Sequence, residues 1–222
     1  MAQYGTNGSG TSELHLRRRE IVFGFFLAST SGAAVLAHTF GPVRLSFTAP
    51  FISLPSAAIL VGIILLRRRL YVRLHVFAQI LILGAVFGLL ATGVYDAVRP
   101  LLKWIFHFAY NPYRAMPIFG MLITGRPESD PIAIAAGWIY HFWNGISFGM
   151  MFALLRPKGG AIAGWAWGLG LQCLMMIAYP HLLAVRLADH GFLAMGLVGH
   201  SLWGIVLGAC LRKYWMRTGA HG

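Results

Sequence analysis

The sequence predicts an all-α fold, a polytopic membrane helical bundle of six transmembrane helices, and three observations predict it. The 222 residues are 58% hydrophobic and 11% charged, with mean hydropathy +0.68. An ordinary soluble domain carries about 25% charged residues. Six apolar runs recur along the chain, each close to the roughly 20 residues that a helix needs to cross a bilayer. The basic residues fall between these runs rather than on one polar face.

That third observation also excludes a nucleic-acid partner. The net charge of +12 would suit a phosphate-binding surface only if Lys and Arg gathered on one soluble element. A disordered chain is excluded by the 14% aromatic content. Cys173 and Cys210, the only cysteines, lie inside apolar runs and give no disulfide framework.

Residues 1–20 read as a disordered cytoplasmic tail, polar and rich in Gly, Ser and Thr up to residue 16. Arg17, Arg18 and Arg19 then flank the first run, Ile21–His38, which the long polar lead-in marks as a retained anchor. The second run, Phe47–Leu66, stops at Arg67, Arg68 and Arg69. The others are Val76–Val98, Ile132–Leu155, Ala161–Pro180, where Pro180 is expected to stop the helix, and Gly191–Leu211.

Alternate loops give the orientation. Twelve basic residues fall on one side: Arg17–Arg19, Arg67–Arg69, Arg73, Arg156, Lys158, Arg212, Lys213 and Arg217. Six fall on the other: Arg44, Arg99, Lys103, Arg114, Arg126 and Arg186. The bias puts both termini in the cytoplasm. Residues 99–131 mix aromatics, basic residues and prolines, as suits interfacial helices lying on the outer surface, and a lid over the bundle is an equal reading.

A repeat organises the second half. Gly137, His141, Gly145 and Gly149 stand four apart, and Gly196, His200, Gly204 and Gly208 repeat the pattern 59 residues on. Residues four apart share one helix face. Gly84 and Gly88 in the third run, and Gly160, Gly164 and Gly168 in the fifth, carry the same spacing. Small residues so spaced let helix backbones approach closely within lipid. The expectation is therefore a duplicated two-helix unit, spans 3–4 and 5–6, related about an axis along the membrane normal. Residues 76–217 form its four-helix core, and 21–75 supply two peripheral helices.

Residues 84–211 resemble uncharacterised bacterial inner-membrane families of small four-helix proteins. The resemblance rests on Gly88 to Thr92, on Tyr140-His141-Phe142-Trp143-Asn144-Gly145 with Phe148 and Gly149, and on Gly199-His200 followed by Gly204 and Gly208. It implies a fold and the bacterial inner membrane, but no mechanism. The first two spans depart from it.

Candidate chemistry is sparse. Asp96 is the one acid near a span, and Arg99, three residues on, shares its helix face. Both are expected near the outer helix end, as an interfacial ion pair pinning it. His141 and His200 sit ten residues from the outer ends of their runs, at roughly 15 Å depth. They are read as interhelical hydrogen-bonding residues, His141 with Asn144 or Tyr140 as neighbours. The alternative is a haem held by both imidazoles, with flanking glycines clearing space; a divalent metal would need Cys173 besides. His107, His181 and His190 are outer-loop histidines, read as solvated rather than as a metal cluster. Met150, Met151, Met175 and Met176 are read as packing residues.

No hydrolase, metalloprotease or nucleotide-loop motif is present. The expected protein is non-enzymatic: a small binding or permeation module, or an accessory subunit of a larger membrane complex or homo-oligomer, with lipids as neighbours. A haem-binding electron carrier is the alternative. A third reading is an intramembrane enzyme on a lipid or isoprenoid, using Asp96, Arg99, Tyr140 and His141.

Overall fold

The structure, a computed structural model, describes residues 16–66, 72–184, 186 and 189–218. The expected tail, over residues 1–15, and Arg67–Arg69 lie outside the described residues. Every element among the described residues is helical. They are α1 (Arg18–Phe40), α2 (Leu45–Thr48), a π-helical turn (Ala49–Ser53) leading into α3 (Leu54–Leu66), α4 (Val72–Phe106), α5 (Ala115–Thr124), α6 (Pro131–Leu155), α7 (Ala161–Leu183) and α8 (His190–Arg217).

Five helical segments are long and apolar enough to cross a membrane: Arg18–Phe40, Leu45–Leu66, Leu74–Phe106, Ala161–Leu183 and His190–Arg217. At 25 residues, α6 matches them in length. Its centre carries Trp138, Tyr140, His141, Trp143 and Asn144, which dilute its apolar character.

Glycines set the tightest contacts. A Cβ on Gly88 would run into the Gly145 carbonyl and the Gly149 backbone, and one on Gly149 would overlap Gly84 and Gly88. In the second hairpin a Cβ on Gly164 would meet Gly204 and Gly208, one on Gly168 would meet His200 and Gly204, and one on Gly208 would meet Gly160 and Gly164. The two contacts share one register: Gly88 lies against Gly145 and Gly149 as Gly164 lies against Gly204 and Gly208. The caps share it too. Asp130 accepts from the Ile132 amide at 2.8 Å to start α6, and Asp189 accepts from the Phe192 amide at 3.0 Å to start α8. These aspartates are also 59 residues apart.

The hairpins join through α4, which packs against both α6 and α8. Contact between α6 and α7 is slight by comparison; Phe152 and Trp167 approach with ring centroids 6.2 Å apart. A gap between these two helices results.

Five sequence expectations are corrected. Helix α1 starts at Arg18 rather than beyond residue 20, because the Glu20 side chain accepts from the Arg17 amide at 2.8 Å and caps the first turn. Nor is α1 peripheral. It buries Gly24, Leu27, Ala28, Ser31, Ala34 and Val35, and packs on α6. Its small residues Gly24, Ala28 and Gly32 stand four apart and signal this contact. The second span is the outlying one. Helix α4 does not end near Val98 but passes through Pro100 to Phe106, and α7 passes through Pro180 to Leu183. A proline in a helix removes one amide donor and need not end it where neighbours hold the backbone. Finally, the 99–131 connection does not lie wholly on the surface. Its helix α5 buries Met116, Ile118, Phe119 and Gly120, because Gly120 and Gly137 let α5 press backbone to backbone on the first half of α6.

Candidate functional site

Asp96, Arg99, His141 and His200 come together in the half of the bundle that holds the end of α4 and the starts of α6 and α8. Asp96 precedes the end of α4 by ten residues, and His141 and His200 follow the starts of α6 and α8 by ten residues each. At 1.5 Å per residue all three lie about 15 Å from those ends. This corrects the expectation of an ion pair at the helix end. Because α4 runs on to Phe106, Arg99 has two further helical turns beyond it and points into protein, with 6% of its surface exposed.

The arginine is held on every side. Nη2 donates to Asp96 Oδ1 at 2.5 Å, and Nη1 donates to the Pro112 carbonyl. The guanidinium lies 4.0 Å from the Tyr95 ring centroid and 5.4 Å from that of Tyr113. Its Nε is buried without a hydrogen-bond partner. A charge so far from water persists only when paired, and Asp96 supplies the pair.

Asp96 also binds α6. His141 Nε2 lies 2.9 Å from Oδ2 and 3.1 Å from Oδ1. A carboxylate accepts, so His141 Nε2 carries the proton in this contact. His200 is the reverse. Its Nδ1 lies 2.9 Å from the Gly196 carbonyl, one turn back in its own helix, and must donate. That leaves His200 Nε2 as the acceptor, and no described protein group bonds to it.

Tyr95, which the sequence reading passed over, links the two histidines. Its ring centroid is 4.8 Å from that of His200 and 6.1 Å from that of His141. Its position next to Asp96 and one turn before Arg99 was the available signal. Two other expected members stand apart. Tyr140 turns toward α1 and donates to the Ser31 carbonyl at 2.6 Å. Asn144 makes no bond to His141, and its Oδ1 is buried without a partner.

A cavity of about 90 Å³ occupies the gap between α6 and α7, with α1, α4, α5 and α8 as its other walls. Its lining is mostly apolar, including Val35, Phe148, Leu171 and Trp203, and its polar groups are Thr92, Tyr95, His141, Asn144, Tyr179 and His200. Thr92 is already satisfied, donating to the Gly88 carbonyl at 2.8 Å and accepting from Trp203 Nε1 at 3.1 Å. A smaller cavity of about 40 Å³ adjoins the same histidines and reaches Arg99, Tyr110 and Gln172. Burial pushes the Tyr110 phenol up to about 12, so it remains a neutral donor at physiological pH.

The site does not fit a haem. Tyr95 packs on both imidazoles, so one haem held between them would have to displace that ring, and a cavity of about 90 Å³ is far too small for a macrocycle. Among the described residues no three His, Cys, Asp or Glu side chains gather as a metal site requires. His107, His181 and His190 form no such group, and the His181 ring packs instead on Phe40 at 5.8 Å. Cys173 and Cys210 are free thiols.

No protein-family model, curated protein or solved structure matches this chain.

Proposed function

We propose that this is a non-enzymatic binding module of the bacterial inner membrane, crossing it six times with both termini in the cytoplasm. Its cavity holds part of a small lipid-soluble molecule. The observation that carries the reading is the cavity itself. Glycine contacts close the bundle at α4–α6 and α7–α8, yet α6 and α7 stand apart around an apolar space with polar groups at its outer end. Pockets of that make-up, apolar with a few placed polar groups, are the usual form of ligand sites.

The six-span reading adds α6, the fourth apolar run, to the five segments named above. Its polar residues Tyr140, His141 and Asn144 face protein partners or the cavity rather than hydrocarbon. A duplicated unit accounts for the shared glycine register and for the aspartate caps 59 residues apart. The duplication is symmetric within each hairpin, and the α6–α7 gap breaks the symmetry between them.

Fluorescence quenching tests the binding role. 1-Bromododecane, added to the protein in lipid nanodiscs, should quench Trp203 saturably, read as the difference between wild type and Trp203→Phe. Ala178→Leu, which fills the cavity wall, should abolish the saturable part. Quenching that rises linearly and equally in all three proteins reports lipid partitioning alone and overturns the reading.

A further inference from the structure

We infer that the cavity selects a hydroxyl group: its ligand is a lipid-soluble alcohol or phenol whose O–H donates to His200 Nε2. This rests on the binding role proposed above and names the chemistry of the ligand's polar end. The argument is one of donors and acceptors. His200 is 8% exposed and lines both cavities, and its Nδ1–H is committed to the Gly196 carbonyl. The neutral ring therefore offers the cavity a lone pair at Nε2, and no described protein group donates to it.

A second acceptor beside it also lacks a partner. His141 commits its Nε2–H to Asp96, and Asn144 Oδ1 is buried without a donor. A carboxylate or phosphate ligand would bring further lone pairs to these acceptors. Among the described residues the cation nearby is Arg99, which is already paired to Asp96 and bonded to the Pro112 carbonyl, with its Nε buried. A ketone or ether has no proton to give. A hydroxyl supplies what the acceptors lack, and an unsatisfied buried acceptor is costly enough to make that difference selective.

The body of the ligand follows from the lining. Beyond the histidines the cavity runs between Phe148, Leu171 and Trp203, and it reaches the bilayer side of the bundle at Gly32 on α1 and Leu174 on α7, the latter exposed. About 90 Å³ admits the hydroxyl and a few carbons, and the rest of an apolar chain lies toward lipid through that opening.

Farnesol and farnesyl methyl ether share a chain and differ in the O–H, so they isolate the inference. In nanodiscs, farnesol should displace 1-bromododecane from wild-type protein at about one-tenth the concentration the ether requires, the ratio expected of one well-made hydrogen bond. His200→Phe should bring the two concentrations together, and His200→Gln, which restores a side-chain acceptor, should separate them again in part. The wild-type comparison stands alone should the variants not fold. Equal displacement by alcohol and ether in wild type overturns the hydroxyl inference and leaves the binding role in place. If 1-bromododecane shows no saturable quenching, both fall.

Discussion

The Tyr113 hydroxyl donates to the main-chain carbonyl of Asp96 at 3.0 Å. That carbonyl would bond the amide of residue 100 in an uninterrupted helix, and residue 100 is proline, which has none. Tyr113, from the segment that follows α4, supplies the missing donor. The helix consequently passes Pro100 and holds the Asp96 and Arg99 side chains within the bundle.

Tyr113→Phe should therefore destabilise the protein by about 1 kcal/mol, the net worth of one hydrogen bond. In a Pro100→Ala background the backbone amide returns, and the same change should cost less. A double-mutant cycle on denaturant unfolding measures the difference. Strict additivity would mean that the hydroxyl does not stand in for the amide.

Asp96→Asn should be the most damaging single change at the site. It leaves Arg99 buried and uncompensated, a loss of about 3–5 kcal/mol for a broken buried pair. Adding Arg99→Met removes the stranded charge and should recover part of that loss. A double variant less stable than Asp96→Asn would show that Arg99 is held chiefly by Pro112 and the tyrosine rings.

Gly145→Leu and Gly204→Leu should each wedge a hairpin open. A side chain at 145 overlaps Thr92, and one at 204 overlaps the Gly164 backbone. Overpacking of this kind costs about 1–3 kcal/mol, and more where backbone is the obstacle. Gly62→Leu is the control, since no atom lies within 4 Å of a Cβ there. Equal melting temperatures in detergent for the three variants would refute a packing role for the repeat.

The cap of α6 gives a pH dependence. The Ile132 amide, and then Arg126, hold the Asp130 carboxyl below its ordinary value of 3.8. A lowered folded-state value means that the charged cap stabilises the fold fully above that ordinary value and is lost as pH falls through the lowered one. Wild type should thus lose melting temperature faster than Asp130→Asn as pH drops below about 4, the ordinary carboxylate range. Parallel melting curves for the two proteins over that range would contradict it.

The topology is tested at two points. Reporter fusions ending after Leu66 and after Leu155 should both signal the cytoplasm. A periplasmic signal at either would reverse the orientation read from the basic residues.

Legible in the sequence alone are the apolar runs, the helix faces that carry the glycines and the depth of the histidines. These are properties of one helix at a time: an apolar run sets a span, and a four-residue spacing sets which face carries Gly145, Gly149, Gly204 and Gly208. The aspartate caps were equally visible at their 59-residue interval. What lies across each face was not. That His141 meets Asp96 on α4, that Tyr140 meets Ser31 on α1 and that Tyr95 touches both histidines depend on how helices turn against one another, which spacing within a helix leaves open. The ends of α4 and α7 are not legible in the sequence for the same reason. A proline removes a local amide, and only a tertiary partner such as Tyr113 decides whether the helix continues. The cavity was the least legible feature, since it lies where α6 and α7 fail to pack, and a sequence repeat predicts that those two helices should meet as α4 and α8 do.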